Sequence, residues 1–179
     1  MLTLSDTGLI LIDVQGKLAT LVANSNETLG AVSTLIQGSQ LLGLPVIWVE
    51  QLPDKLGATL PAVAAHLSGC EPYAKSTFSA LGNSVISQAI ASTGRKDWLV
   101  CGIEAHICVY QTVCDLLEKG YNAHVVSDAV SSRNPEHKAL ALDKMQRSGA
   151  VLTCVEMALY ELLQRADIPE FKAILPLVK

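Results

Sequence analysis

The chain lacks C-x-x-C pairs, clusters of basic residues, long uncharged apolar runs and, for its length, charge. The cysteines number five, Cys70, Cys101, Cys108, Cys114 and Cys154. An odd set without close pairs argues against both a disulfide framework and a zinc site. Lys and Arg number 13 against 17 Asp and Glu, a formal charge of −4, which disfavours nucleic acid or an anionic membrane as partner. The longest stretch without charge, Thr28 to Val49, is broken by Ser33, Gln37, Ser39 and Pro45 and reads as helix, turn and strand. The start, Met1 to Asp6, has no basic leader, so a cytoplasmic protein is expected. Internal repeats, low-complexity tracts and linkers are also missing. Charged residues make up 17% against about 25% in a typical soluble domain, and mean hydropathy is +0.35. Part of the surface is therefore expected to be covered by further copies of the chain, in a dimer or larger homo-oligomer. The outer positions Ser84, Ser87, Gln88 and Ser92 of one helical stretch, small and neutral, suit such packing.

What is present is a regular alternation. Short apolar runs at Leu9–Val14, Pro45–Val49, Trp98–Cys101, Ala123–Val126 and Ala150–Cys154 read as buried strands. Between them lie helical spacings such as Leu29, Val32, Leu35, Ile36 and then Val109, Val113, Leu116, Leu117. A further helix is expected after Asn134-Pro135, and a last one from about Val155 to Arg165. Gly43, Gly94, Gly120 and Gly149 each stand between a helix and the next strand, the position of a C-terminal cap. The 179 residues fit one domain, 1–179, of α/β class: a parallel sheet with helices on both faces and its ligand beyond the carboxyl ends of the strands. The stretch Gln51 to Ser79 contains Pro53, Pro61 and Pro72 and at most one short helix, near Thr59 to His66. It is too long for a plain connection and is expected to form a wall or lid.

Three residues at strand ends carry candidate chemistry. Asp13 closes the first run, where a carboxylate at the sheet edge and a turn or helix cap are both open readings. Cys108 stands at a helix start, a place that favours thiolate, although a buried core cysteine has the same spacing. Lys75 lies among neutral residues at the end of the long loop, where a solvated lysine is the ordinary role. Together they supply a nucleophile, a proton acceptor and a cation, the parts of nucleophilic acyl transfer. His106 precedes Cys108 by two residues, which on a helix puts the side chains about 200° apart, so a Cys–His dyad is not expected. Cys114 lies about 240° around the same helix, which weakens a thiol-redox reading. His66, His124 and His137 show no ligand spacing, and Trp48 and Trp98 read as core.

From about Asp6 to Arg165 the sequence resembles the isochorismatase-like cysteine hydrolases, on Asp13 within Leu11–Gln15, Lys75 within KSTFSA and Cys108 within GIEAHICV. The resemblance implies a three-layer, Rossmann-like fold with a six-stranded, mostly parallel sheet and a catalytic triad of Asp13, Lys75 and Cys108. It also implies a cis peptide between Ile103 and Glu104. The nicotinamidase metal motif is missing from Val49 to Lys55, so no metal or other cofactor is expected. Isochorismatases proper lack the cysteine that this chain keeps. The implied activity is hydrolysis of a carbon–nitrogen bond in a small amide or ureido compound, with the backbone N–H groups of Glu104 and Cys108 as oxyanion hole. Ether hydrolysis and a non-catalytic binding or scaffold role are the alternatives. Gln15 and Gln51 are candidate pocket amides, Phe78 a candidate apolar wall or core residue, and Ile103 a further lining residue.

Overall fold

The computed structural model describes residues 1–179. Six strands form one sheet: β1 (Thr7–Ile12), β2 (Val46–Gln51), β3 (Tyr73–Lys75), β4 (Asp97–Ile103), β5 (Asn122–Ser131) and β6 (Val151–Thr153). Their order is β3-β2-β1-β4-β5-β6, and every neighbouring pair is parallel. Alternate residues of each strand point to opposite faces, which divides the apolar residues into two cores. Leu9, Leu11, Leu99 and Cys101 belong to one core, while Ile10, Ile12, Trp98 and Val100 belong to the other.

The first core is covered by α2 (Ser25–Leu41), with the short α1 (Leu18–Leu21) leading into it, and by helices from the C-terminal part described below. Around the site side, α3 (Pro53–Leu56) and α4 (Pro61–Ala64) follow β2, each opened by a proline that needs no N–H partner in the first turn. The second core is covered by α5 (Ser84–Ser92), α6 (Tyr110–Glu118) and α7 (Pro135–Arg147). Asn83 caps α5 by accepting from Val85 N, and Ile86 and Ile90 anchor it with no exposure, each worth about 1.5–3 kcal/mol of burial. Two further helices, α8 (Val155–Leu163) and α9 (Pro169–Val178), complete the first face. Gly43, Gly94, Gly120 and Gly149 all have φ between 69° and 106°, the left-handed cap conformation.

Four expectations need correction. β3 lies in the stretch expected to be loop; it is a three-residue edge strand whose single buried residue is Lys75, so it shows no apolar alternation. The same stretch holds two short helices instead of at most one. β5 runs to Ser131 because Ser127 and Asp128, which end the apolar run, sit inside the strand. The helix ending near Leu163 is followed by another, α9, masked in the sequence by Pro169 and Pro176; it buries Ile174 and packs on α2, with Thr34 Oγ1 donating to Leu177 O.

The sheet order reverses between β1 and β4, and a crevice opens beyond the carboxyl ends of these two strands. Gly102 is required there: at φ 118°, a Cβ on it would collide with Ile12 O on β1.

Candidate active site

A cavity of about 350 Å3 occupies that crevice. Its floor holds Asp13, Gln51 and Cys108, its walls are Leu18, Leu56, Phe78, Ile103 and Ile107, and Lys17 and Lys55 stand at its exposed mouth. Asp13 follows β1 directly. Its φ of 52° turns the chain out of the strand direction, with its N–H donating to Val49 O. Lys75 ends β3, and Cys108 lies in the π-type turn Ala105–Val109 between β4 and α6. The peptide bond Ile103–Glu104 at the head of that turn is cis.

Lys75 is not solvated. Its ammonium donates to Asp13 Oδ2 at 2.8 Å, Gln51 Oε1 at 2.5 Å and Thr77 O at 3.1 Å, and the side chain has no exposed surface. It lies beneath the cavity floor rather than on the wall. Asp13 Oδ1 is buried without a hydrogen-bond partner, so one carboxylate oxygen is free to accept a proton. Burial raises the Asp13 pKa against the opposing pull of Lys75. Burial also pushes the Cys108 thiol up, and the Asp13 carboxylate adds to this while Lys75 opposes it; the pKa reaches about 12. The expected preference for thiolate at a helix start is therefore reversed, because desolvation and a neighbouring carboxylate outweigh the helix and the cation. With its pKa so raised, Cys108 is held as a thiol.

Both glutamines are buried, but their amides serve the scaffold. Gln15 Nε2 donates to Gln51 O at 3.1 Å and Gly57 O at 2.6 Å, and its Oε1 accepts from Gln51 N at 2.6 Å. Gln15 thus ties the loop after β1 to the segment after β2. Gln51 spends its Oε1 on Lys75 and its Nε2 on Ser76 O. Phe78 is 56% exposed and lines the cavity, so it is wall and not core. Ile103 is almost fully buried at the cavity side of β4. His106 turns away from Cys108: its Nδ1 is 3.0 Å from Ser132 Oγ, and its ring lies 4.8 Å from that of His137. Cys101 belongs to the opposite core from Cys108, so the sheet separates that candidate resolving thiol from it. The described residues contain no cluster of three or more His, Cys, Asp or Glu suited to a metal.

Two carboxylates near the site were not marked by sequence pattern. The Glu104 side chain is buried, and its Oε1 accepts from Arg133 N and Nε, both at 3.0 Å. Burial opposes its ionisation, yet the hydrogen bonds and charge of Arg133 hold it below the usual carboxylate range. Glu50 accepts from Thr59 N and Oγ1, both at 2.7 Å, and Thr59 Oγ1 in turn accepts from Trp48 Nε1 at 2.7 Å. No local signal pairs Glu104 with a residue 29 positions on, or Glu50 with the lid; only the folded chain brings them together.

A parallel sheet with its reversal at β1 and β4, and a thiol, carboxylate and ammonium at that crevice, define a hydrolase-like α/β protein. The isochorismatase domain model matches residues 7–157. A secreted isochorismatase effector, Isc1, of Phytophthora sojae is 37% identical over 175 residues, covering 96% of this chain and 83% of that protein. The structure of MAR1 ribonuclease from Caenorhabditis elegans superposes with a TM-score of 0.93 at 34% identity, covering 99% of this chain and 91% of that one. YcaC from Pseudomonas aeruginosa, solved with hexane-2,5-diol and covalent acrylamide, gives a TM-score of 0.92 at 26% identity over 98% and 90% of the two chains. The chain belongs to the isochorismatase family and is a hydrolase of that family.

Proposed function

We propose that residues 1–179 act as one domain that hydrolyses a carbon–nitrogen bond in a small amide or ureido compound, without metal or cofactor. The observation that carries this reading is the meeting of Cys108 and Asp13 at one cavity floor, with Lys75 beneath it bonded to Asp13 Oδ2 and Asp13 Oδ1 unpartnered. In the proposed cycle Asp13 takes the thiol proton as sulfur bonds to the carbonyl carbon, and the oxyanion rests on the backbone N–H groups of Glu104 and Cys108. The carbon–nitrogen bond breaks as Asp13 returns the proton to nitrogen, and ammonia or an amine leaves. Water then attacks the thioester, giving its proton to Asp13; the carbon–sulfur bond breaks and the sulfur is reprotonated. Lys75 stays cationic and balances the negative charge as it moves between Asp13 and the substrate.

The covalent acrylamide in the Pseudomonas protein, a reagent that bonds to nucleophiles through its vinyl carbon, supports a reactive nucleophile in this fold. A phosphodiester substrate is less well supported: the chain carries a net charge of −4 and offers a small cavity rather than an extended cationic groove. The retained Cys108 favours acyl transfer over ether hydrolysis. A small molecule is the proposed partner, with no nucleic acid and no membrane; no helix is long and apolar enough to cross one. Low charge and the exposed Val85 of α5 support a homo-oligomer, and five free cysteines support a reducing, cytoplasmic compartment.

The test is ammonia release by purified protein from a panel of primary amides and ureido compounds. Turnover by the wild type, lost in Cys108→Ala and Asp13→Asn, supports the reading. Release that survives Cys108→Ala refutes it. Binding of panel members without release points to the binding-protein alternative.

A further inference from the structure

Asp13 and Cys108 follow β1 and β4, strands that pair with each other from Thr7–Asp97 to Ile12–Gly102. Lys75 has no such support. Its strand β3 pairs with β2 alone, over three residues, and lies at the edge of the sheet. The sheet thus places two of the three groups firmly and the third loosely, and what holds Lys75 against Cys108 has to come from outside it.

It comes from α6. Thr112 and Asp115, four and seven residues after Cys108, stand three apart and are therefore neighbours on the helix surface. Both grip the loop that leaves β3. Ser79 Oγ donates to Asp115 Oδ2 at 2.5 Å, the length of a charge-assisted bond, and Ala80 N donates to Thr112 Oγ1 at 3.0 Å. Thr112 is fully buried and Ser79 nearly so. From Ser79 the contacts run back to the site: Thr77 Oγ1 donates to Ser79 O at 2.7 Å, and Thr77 O accepts from the Lys75 ammonium at 3.1 Å. Thr77 is packed tightly, since a Cβ on Gly82 would meet its Cβ at 3.0 Å. The ammonium has three N–H donors and three acceptors, Asp13, Gln51 and Thr77. Only Thr77 is held by the helix that carries the nucleophile.

We propose that Asp115, assisted by Thr112, is a positioning residue of the site: it ties the loop Ser76–Ala80 to the helix that follows Cys108 and so fixes the Lys75 ammonium relative to the thiol. When the tie is cut, Thr77 O drifts from the ammonium, which is left with a buried N–H in search of a partner and shifts to find one. Lys75 is the group that opposes the rise in the Cys108 pKa, so a displaced ammonium leaves the thiol harder to ionise. The inference rests on the proposed roles of Cys108 and Lys75, but its test reads the thiol and not turnover. A failure of the hydrolytic reading leaves the result below unchanged, and a failure here leaves that reading standing.

The test is labelling by iodoacetamide at pH 8, read residue by residue by mass spectrometry, in the wild type, Asp115→Ala, Asp115→Asn and Ser79→Ala. The fully buried Cys101 monitors general loosening of the fold. Cys108 is expected to label about 2- to 10-fold more slowly in Asp115→Ala and in Ser79→Ala, part of the roughly 1–3 pKa units that a whole neighbouring charge commands. Cys101 stays unlabelled, and Asp115→Asn, whose amide oxygen still accepts from Ser79 Oγ, keeps the wild-type rate. Because both variants break one contact, the double variant Ser79→Ala, Asp115→Ala is no slower than either alone. A clamp that merely stabilises the loop gives the opposite sign, since loosening it opens the cavity and speeds labelling. Cys108 labelled faster or at an unchanged rate in Asp115→Ala overturns the proposal. So does an Asp115→Asn rate equal to that of Asp115→Ala, which would assign the effect to charge and not to the hydrogen bond. Where Asp115→Ala does not fold, Ser79→Ala decides by the same signs, since it removes one hydroxyl and leaves Asp115 partly open to water.

Discussion

Lys75 Nζ stands 2.8 Å from Asp13 Oδ2, and neither side chain is more than 6% exposed. A pair so buried adds little net stability against an apolar replacement, but removing one partner strands the other charge. Lys75→Met is therefore expected to destabilise the fold by about 3–5 kcal/mol. Adding Asp13→Leu to the same chain is expected to restore most of the loss. Urea denaturation of both single variants and the double variant checks it: a double variant no more stable than Lys75→Met contradicts the pair as described.

The acidity of Cys108 leads to a second expectation. Burial and Asp13 place the thiol at about 12, so alkylation by iodoacetamide in substrate-free protein should keep rising with pH past the ordinary cysteine value of about 8.5. Cys101, fully buried and also raised, should stay unlabelled. In Asp13→Asn the repulsive carboxylate is gone while Lys75 remains, so the thiol becomes more acidic and alkylation at pH 8 speeds up. Turnover of a substrate should move the other way, falling about 10²–10⁴-fold with loss of the general base. Parallel changes in labelling and turnover would contradict the proton-acceptor role.

Why some of this was legible and some was not follows from where each signal resides. A sheet covered on both faces was readable because Leu9, Ile10, Leu11 and Ile12 are all apolar, the mark of a strand buried on both sides, although one core was expected where two lie. Four glycines at helix ends announced their conformation because cap geometry is local. Asp13 could be singled out because it closes an apolar run, and Cys108 because it stands at a helix start a few residues beyond another. Lys75 gave a weak signal of its own and gained weight from the family resemblance, since its strand is three residues long and pairs only at the sheet edge. A helix start is evident in sequence, whereas the burial that raises the Cys108 pKa depends on residues brought in from elsewhere in the chain. Gln15 and Gln51 were marked as pocket amides and both line the cavity, but their hydrogen-bond partners Gly57 and Ser76 lie outside any local pattern.

The pH profile of turnover tests Asp13. Its pKa is raised, chiefly by burial, and it must be ionised to accept the thiol proton. Activity is thus lost as pH falls through a value above the ordinary aspartate pKa of about 3.9. The charge of Glu50 contributes to that rise. Glu50→Gln should accordingly shift the acid limb of kcat/KM to lower pH, even where it also loosens the Thr59 contact. A limb unmoved in Glu50→Gln, or lying below the ordinary aspartate value in the wild type, would assign the titration to another group.

Glu104 behaves in the opposite sense, and this separates its role from that of Asp13. Its carboxylate is 4% exposed, whereas Arg133 is 59% exposed, so part of the attraction is screened by solvent. Arg133→Met removes the guanidinium but keeps the backbone donor Arg133 N, leaving Glu104 with one hydrogen bond in place of two. A loss of stability is expected, read as a lower Tm at neutral pH and kept small by the exposure of the guanidinium. Because Arg133 holds the folded-state pKa of Glu104 down, the stabilisation is full above the unfolded value of about 4.3. It disappears as pH falls through the lower folded value. The Tm difference between wild type and Arg133→Met should therefore be largest near neutrality and close in acid. Since the Glu104 N–H is a proposed oxyanion donor, the variant should also lower kcat more than it raises KM, with the acid limb set by Asp13 left in place. A Tm difference that is constant across pH would mean that Arg133 acts by packing and not through the Glu104 charge.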